Sequence, residues 1–478
     1  MVFSSTVFLF LFLPIVLLIY YFSHPLFRNG ILLIASLFFY AWGEIYYVFL
    51  MILTIAINYI GGLLIYNYRN IKFASAFFLF VVVAINLLFL LYYKYFNFIV
   101  DTFLPLKFIL PISHTALIHL PIGISFYTFQ NISYLVDVYR KEVNVQRNPF
   151  HLALYISLFP QLIAGPIIRY HDVDEQILKR DTTWEKFYDG FSRFFKGLGK
   201  KVLIANSMAM LADDIFKLPA SDIPGIIAWL GIICYSLQIY FDFSGYSDMA
   251  IGLGKMFGFT FLENFNYPYI SKSIQEFWRR WHISLSSWFR DYVYIPLGGS
   301  RRSQLITYRN LLTVFFLTGL WHGASWNFVV WGLFHGFFII LERIGLNSLL
   351  KKSYQPIQHL YALLVVIIGW VFFRAVDISY AVEYIQSMFG LNEGRNFSSL
   401  TYLDKYTLFM LGIGIIFSTP LRIYLSKQVS IFTMKYFTPR LHMFLENTFS
   451  YVFSLSMFLL SIIELAKSSY NPFIYFRF

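Results

Sequence analysis

A histidine that borders an apolar stretch is the first residue of this sequence that could carry out chemistry. His322 follows an apolar run that begins at 308, and three small residues, Gly323, Ala324 and Ser325, come directly after it and predict a turn of the chain with room for substrate. Ionisable residues at membrane depth are costly and usually functional, and an imidazole in an apolar site resists protonation. A neutral imidazole can take the proton of an attacking hydroxyl, as acyl transfer requires. The other interpretation is a histidine that only hydrogen-bonds neighbouring helices, and the local pattern alone favours it.

A second histidine, His282, lies in the segment FWRRWHISLSSWFRDY, which predicts one amphipathic helix. Trp278 and the basic pair Arg279 and Arg280 belong to the same segment. One interpretation is a helix that lies at the lipid headgroups, where tryptophan and arginine are favoured. The other is the cytoplasmic wall of a donor site, in which the arginines bind phosphates. The residues alone favour the first interpretation.

Further polar residues lie in or beside apolar segments. Gln238 and Asp242 belong to the stretch YSLQIYFDFSGYSDMAIGLGKMFG and are candidates for binding substrate, as are Trp321 and Ser325 on either side of His322. Asp242 is either a buried structural partner or a residue that lines the reaction chamber, and the sequence leaves both open. The histidines show no helical metal-ligand spacing, so we predict no metal site.

The chain ends in the aromatic tail NPFIYFRF, which contains Tyr475. Aromatic residues are typical of the membrane–water interface, so an interfacial anchor is the simplest interpretation of this tail. The sharper hypothesis uses the phenol, whose ordinary pKa of about 10 lies below that of an alkyl alcohol. Because its ester is comparatively activated, Tyr475 could accept an acyl group and pass it on.

The composition of the chain shows where these residues must be placed. Of 478 residues, 58% are hydrophobic and only 13% are charged, whereas soluble domains carry about 25% charged residues. A soluble fold could not hide so much apolar surface, so we predict an integral membrane protein. The net charge of +12 then indicates basic loops that face anionic lipid headgroups, and it does not indicate nucleic acid.

Apolar segments recur from one end of the chain to the other. We predict about 11 transmembrane helices in a single domain over 1–478, from segments near 3–22, 30–43, 46–66, 74–99, 115–136, 202–217, 226–243, 308–321, 326–341, 358–375, 405–419 and 443–463. The stretch FPQLIAGPIIRY is short and broken by proline and glycine, which favours a re-entrant element.

Charged stretches predict the orientation of the chain. The stretches 139–147, 268–309 and 421–440 are basic, and positive-inside counting places them in the cytoplasm. The loop 376–404 is mainly acidic and is predicted to lie outside. This orientation puts both termini, including the tail 470–478, on the extracytoplasmic side.

Taken together, six segments resemble the membrane-bound O-acyltransferase (MBOAT) family, and in particular its bacterial branch of alginate and peptidoglycan O-acetyltransferases. In chain order they are PIGISFYTFQNISYLVDVYR, FPQLIAGPIIRY, YFDFSGYSDMAIGLGKMFG, FWRRWHISLSSWFRDYVYIPLGG, GLWHGASWNFVVWGLFHG and GWVFFRA. The resemblance extends from the N-terminal MVFSS to the terminal FIYFRF.

The resemblance implies an all-α fold, in which a ring of tilted helices and re-entrant half-helices surrounds a central funnel. It places the characteristic histidines of the family on His322 and His282. It implies acetyl-CoA as a cytoplasmic donor, with the acetyl group crossing the bacterial inner membrane. It also implies an extracytoplasmic SGNH-type partner that acetylates a polysaccharide. Related D-alanylation systems carry an acyl-accepting tyrosine in the C-terminal aromatic motif of a small separate peptide. The FIYFRF tail of this chain resembles that motif, which strengthens the hypothesis for Tyr475.

Three alternatives remain open. The first is D-alanyl transfer to teichoic acid, which the fused tail disfavours. The second is a lipid or protein acyltransferase with a long acyl tunnel. The third is a transporter without covalent chemistry, although no internal repeat is evident. The polysaccharide acceptor is not specified by the sequence, and we slightly prefer peptidoglycan to alginate.

Overall fold

The computed structural model describes residues 1–102, 118–392, 404–467 and 470–474. Throughout these ranges the chain forms α-helices joined by turns and short 3₁₀ and π segments, and the described ranges contain no β-strand. The chain folds into two compact units. One comprises Met1–Gly190 with Ala250–Leu262, and the other comprises Phe191–Met249 with Glu263–Phe478.

Nine complete helices lie among the described residues of the first unit. In chain order they are α1 Leu13–Phe22, α2 Arg28–Ala41, α3 Tyr47–Asn67, α4 Lys72–Leu90, α5 Phe96–Thr102, α6 Ile124–Arg140, α7 Pro149–Ser157, α8 Phe159–Leu162 and α9 Tyr170–Leu178. Two helices contribute residues to both units, and these are α10 Trp184–Gly199 and α12 Gly225–Met256.

The second unit contains every described residue that the sequence singled out for chemistry. Its complete helices are α11 Asn206–Phe216, α13 Ile274–Arg280, α14 Ile283–Phe289, α15 Gln304–His322, α16 Trp326–Leu341, α17 Asn347–Lys352, α18 Gln355–Arg374, α19 Ile378–Met388, α20 Lys405–Phe417, α21 Leu421–Tyr436 and α22 Pro439–Lys467. A π segment, Lys200–Ala205, joins α10 to α11.

Six helical stretches among the described residues are long and apolar enough to cross a membrane. They are Tyr47–Asn67, Lys72–Thr102, Gly225–Met256, Trp326–Lys352, Gln355–Arg374 and Pro439–Lys467. The pair α20 and α21, bent by 69°, passes the same test together, and the N-terminal stretches Phe8–Phe22 and Pro25–Ala41 are apolar but shorter. These helices confirm a polytopic all-α membrane protein. The total of about 11 spans in one domain stays a prediction.

The stretch predicted to be re-entrant does not form a spanning helix. Residues 159–162 make the short helix α8, residues 163–165 turn, and residues 166–169 are non-helical before α9 begins. The segment is buried from Phe159 to Ile168. Non-helical backbone in a membrane protein is tolerated where protein surrounds it. The burial of this segment provides such surroundings.

Helices α15 and α16 form a closely packed hairpin that carries His322 at its turn. A Cβ atom on Gly319 would lie 2.3 Å from the carbonyl oxygen of Phe328, and one on Gly332 would lie 2.2 Å from that of Phe315. Both positions therefore require glycine, since any side chain would force the two backbones apart. The predicted turn of small residues is confirmed, because α15 ends at His322 and α16 begins at Trp326.

Candidate active site

The His322 side chain is only 4% exposed and is surrounded by aromatic rings. Trp321, Trp331 and Phe373 pack edge-on against its imidazole, with ring centroids 4.9, 4.9 and 5.2 Å away. These rings come from α15, α16 and α18, so three helices fix the plane of the imidazole. Such an apolar, preorganised setting suits a neutral base that must keep one orientation.

The second candidate histidine, His282, also packs against Trp321. The His282 ring is fully buried, 5.9 Å from the Trp321 ring and 4.6 Å from the ring of Phe243 on α12. One indole thus contacts both histidines. The structure brings together His282, Trp321 and His322, which the sequence proposed separately.

Hydrogen bonds assign the tautomer of His282. Its Nδ1 lies 3.1 Å from Oδ1 of Asn264, and the backbone N–H of Ser284 donates to the same oxygen at 3.2 Å. Because a backbone N–H can only donate, that atom is the acceptor oxygen, and His282 must donate from Nδ1. Nε2 then carries the lone pair, and it has no hydrogen-bond partner within the described ranges. In its neutral form, His282 can therefore accept a proton or a hydrogen bond at Nε2.

The prediction of one amphipathic helix around His282 is wrong. Two short helices, α13 and α14, meet at His282, whose backbone is left-handed with φ 44° and ψ 56°. The N–H of Ile283 donates to the carbonyl of Asn264 at 3.0 Å, which holds the break in place. Trp278 is 8% exposed, so its side chain packs within the protein.

A buried carboxylate orients α13. Glu342 is 4% exposed and accepts hydrogen bonds from the N–H groups of Ile274 and Gln275, at 2.5 and 3.0 Å, and from the hydroxyl of Tyr361 at 3.2 Å. The first N–H groups of a helix lack internal partners and carry partial positive charge, so an acidic group there stabilises the helix. Glu342 thereby fixes the direction in which Trp278 points. Glu342 was not among the residues predicted from the sequence, although a glutamate at the end of an apolar run was a usable signal.

Trp278, a residue of α13, connects this helix to the histidine site. Its ring centroid is 5.6 Å from that of Trp331, which itself contacts His322, and 5.3 Å from that of His335. His335 is fully buried and packs 5.3 Å from Trp331. Trp278, Trp331 and Phe373 thus belong to one buried cluster, which includes two of the three rings around His322.

A cavity of about 460 Å³ adjoins this cluster. Trp278 and Arg279 line it, and the face of α15 that carries Leu311, Phe315 and Thr318 forms one wall. His322 is the next residue on that face, four residues beyond Thr318 and about 6 Å further along the axis. The cavity therefore runs beside the helix that ends at the candidate base.

The two arginines of the basic pair have different surroundings. Arg279 is exposed and lines the cavity. Arg280 instead pairs with Glu276 at 2.8 Å and donates to the carbonyl of Asn266 at 3.0 Å. Burial alone would raise the pKa of Glu276, but the Lys272 N–H and the Arg280 guanidinium hold it below its ordinary value. Arg280 is thus committed to a local ion pair, and Arg279 is the better placed of the two to meet a ligand.

Asp242 is a buried partner of the C-terminal tail. Its side chain is 2% exposed and pairs with the equally buried Lys201 at 2.7 Å. Its other oxygen accepts the backbone N–H of Ile474 at 2.8 Å. Lys201 also donates to the carbonyl of Pro472. Of the two interpretations left open for Asp242, the structure supports the structural partner, and the partner is the tail.

The remaining candidates lie at defined places. Gln238 is 2% exposed and lies one helical turn before Asp242, on the same face of α12. Ser325 occupies the N-cap position of α16, but its side chain makes no capping hydrogen bond. Tyr475 lies outside the described residues. Ile474, the residue before it, is 3% exposed and belongs to the same buried cluster as Trp331 and Phe373.

A possible metal-binding group occurs in the first unit and includes none of the candidates from the sequence. Ligand atoms of Asp137, Glu142 and His171 lie within 4.8 Å of one another in the described part of that unit. His171 Nδ1 already contacts the buried carboxylate of Asp137 at 2.9 Å. That hydrogen bond is the main reason why the pKa of His171 lies above its ordinary value.

Comparison with known proteins decides the family. The model of the membrane-bound O-acyltransferase family matches residues 144–379. The chain is 42% identical to the probable alginate O-acetylase AlgI of Azotobacter vinelandii, in an alignment that covers all of both proteins. This chain belongs to the membrane-bound O-acyltransferase family. It is therefore an O-acyltransferase and a multi-pass membrane protein.

Two other relatives in the family carry different names. The chain is 37% identical to the peptidoglycan O-acetyltransferase of Helicobacter pylori, over 85% of this chain and 82% of that protein. It is 34% identical to the teichoic acid D-alanyltransferase of Bacillus subtilis, over 45% of this chain and 56% of that protein. The family match includes both histidines and the α15–α16 hairpin, and it ends before the C-terminal tail.

Proposed function

We propose that this O-acyltransferase moves an acetyl group from cytoplasmic acetyl-CoA across the bacterial inner membrane for O-acetylation of an extracytoplasmic polysaccharide. The observation that carries the proposal is the position of His322, which three aromatic rings surround. Two of these rings, Trp331 and Phe373, share a buried cluster with Trp278 of the cavity and with Ile474 of the tail. The names of the most similar relatives supply the acetyl group and the class of acceptor.

The cavity beside α15 is the proposed donor site. Its volume of about 460 Å³ lies in the range of small-molecule sites and suits the pantetheine arm with its acetyl group. Arg279 at its lining is exposed and suits the phosphates of coenzyme A, which would remain outside the apolar part. The basic character of residues 268–309 supports a cytoplasmic opening.

Tyr475 is the proposed first acceptor. His322 takes the proton of the Tyr475 hydroxyl, and the phenolic oxygen attacks the thioester carbonyl. The new C–O bond forms as the C–S bond breaks, and the coenzyme A thiolate takes up the proton from His322. In this scheme His282 orients the donor side through its Nε2 lone pair. The acetyl group then leaves as a tyrosine ester for an SGNH-type partner outside the membrane.

The alternatives are less well supported. D-alanyl transfer is disfavoured because the teichoic acid D-alanyltransferase of Bacillus subtilis aligns with less than half of this chain. Among polysaccharides, alginate gains support because the relative from Azotobacter vinelandii aligns over the full length. Peptidoglycan stays open, because the relative from Helicobacter pylori aligns over most of the chain.

Variants expressed in the native host test the proposal. His322→Ala should abolish O-acetylation while the protein remains folded and inserted. Tyr475→Phe should do the same, because it removes only the hydroxyl. Mass spectrometry of the isolated polymers then separates acetyl from D-alanyl esters and alginate from peptidoglycan. Normal O-acetyl content in the His322→Ala strain would refute the role of the histidine, and near-normal content in the Tyr475→Phe strain would reduce the tail to an anchor.

A further inference from the structure

Two buried carboxylates hold the C-terminal tail in the same way. Asp242 binds Lys201 through one oxygen, at 2.7 Å, and the N–H of Ile474 through the other, at 2.8 Å. Asp213 binds Arg374 through one oxygen, at 2.6 Å, and the hydroxyl of Tyr470 through the other, also at 2.6 Å. In each case one oxygen pairs with a cation, and the second oxygen contacts the tail.

The rest of the tail segment fits the same site. Pro472 has no N–H, and its carbonyl accepts from Lys201. The side chain of Asn471 accepts from that of Asn206 at 3.2 Å. Phe473 is 5% exposed and packs 4.9 Å from the ring of Tyr246. A segment with no charged side chain is therefore bound by charged residues that compensate each other, so docking leaves no unpaired charge.

We propose that Asp213 and Asp242, with their cations Arg374 and Lys201, form a docking site for residues 470–474, and that Asp242 is a positioning residue for acyl transfer. This inference rests on the proposed role of Tyr475 as the acyl acceptor. The chemical class of ligand is an uncharged aromatic peptide that offers one backbone N–H at Ile474 and one phenolic hydroxyl at Tyr470.

The geometry explains why Asp242 would position the acceptor. Consecutive Cα atoms are about 3.8 Å apart, so the hydrogen bond to the Ile474 N–H restrains the residue that follows it. Phe243, the neighbour of Asp242 on α12, packs 4.6 Å from His282. The same turn of α12 thus holds the tail and one of the two histidines. Without the docking contacts, a smaller fraction of molecules would have the tail docked and ready to react.

Ile474→Pro is the sharpest perturbation, because it removes the N–H and leaves Lys201 paired with Asp242. Ile474→Val is the matched control, since it keeps the N–H and a similar apolar side chain. Both are made in the full chain and reconstituted in vesicles. Hydrogen bonds to charged groups are among the stronger ones in proteins, so we expect at least a tenfold loss of docked tail in Ile474→Pro.

Two measurements report on the inference. Hydrogen–deuterium exchange of the peptide that contains residues 470–474 should become at least tenfold faster in Ile474→Pro and should stay unchanged in Ile474→Val. In the same variant, kcat for acetyl transfer from acetyl-CoA should fall at least tenfold with an unchanged KM for the donor. Tyr470→Phe, which removes the hydroxyl that contacts Asp213, should shift both measurements in the same direction by a smaller factor.

Each outcome has a distinct meaning. Unchanged exchange in Ile474→Pro overturns the docking site. Faster exchange with unchanged kcat overturns the positioning role of Asp242. The variant Tyr475→Phe separates this inference from the proposed function, because it should lose transfer while its tail remains as protected as in the wild type. Transfer retained in Tyr475→Phe would refute the acceptor role, and positioning with it, while the exchange measurement would still decide whether the tail docks.

Discussion

The close packing of α15 against α16 predicts a large effect from the smallest possible substitution, Gly332→Ala. The added Cβ would lie 2.2 Å from the Phe315 carbonyl oxygen, so the two backbones must separate by about 1 Å to restore an ordinary contact. Trp331, the preceding residue, packs directly against His322. A misplacement of about 1 Å in a catalytic site can cost about a hundredfold in rate, which corresponds to about 2.7 kcal/mol in activation free energy.

The assay is acetyl transfer from labelled acetyl-CoA by the reconstituted enzyme, with kcat compared between variants of equal insertion and thermal stability. Gly412→Ala is the matched control, because a Cβ there meets nothing within 4 Å and the residue lies in α20 of the same unit. We expect kcat to fall about a hundredfold in Gly332→Ala and to be unchanged in Gly412→Ala. A Gly332→Ala enzyme within threefold of wild type would refute the claim that this helix crossing positions His322.

Two further predictions concern other parts of the structure. Glu342→Gln weakens the capping of α13 and should raise KM for acetyl-CoA several-fold with a smaller change in kcat, since Trp278 lines the proposed donor cavity; an unchanged KM in steady-state kinetics would contradict this. The pKa of His171 is raised in the folded protein. Its contact with Asp137 therefore stabilises the fold fully at pH values below the pKa of the unfolded state, about 6.5, and this stabilisation is lost as pH rises through the pKa of the folded state. The difference in melting temperature between wild type and His171→Gln should therefore shrink as pH rises, and a difference that grows would contradict the assignment.

The features that could be predicted from the sequence are those with a local signal. The apolar run that ends at His322, followed by small residues, was enough to place a histidine at the turn of a helical hairpin. The proline- and glycine-broken segment 159–170 was enough to exclude a spanning helix there. In both cases the residues that decide the structure are neighbours in the chain.

The features that could not be predicted depend on partners distant in the chain. The break between α13 and α14 depends on Asn264, which precedes His282 by 18 residues and binds both its side chain and the N–H of Ser284. The partner of Asp242 is the backbone of Ile474, 232 residues later. Lys201 directly precedes the apolar run 202–217, and Asp213 lies within it. Because a buried charge needs a partner, these two residues could have indicated buried ion pairs.

The central claim is that His322 is the base that activates the acceptor hydroxyl, and a single-turnover measurement tests it most directly. The enzyme is mixed with labelled acetyl-CoA without a partner protein, and label on the C-terminal peptide that contains Tyr475 is followed by mass spectrometry. His335→Gln is the matched control, because it also replaces a histidine beside Trp331 with an amide but leaves His322 in place. Its tail should be labelled at a rate within tenfold of wild type. General-base catalysis contributes about 10² to 10⁴ in rate, so His322→Gln should label at least a hundredfold more slowly. Labelling of the His322→Gln tail at the wild-type rate would contradict the account.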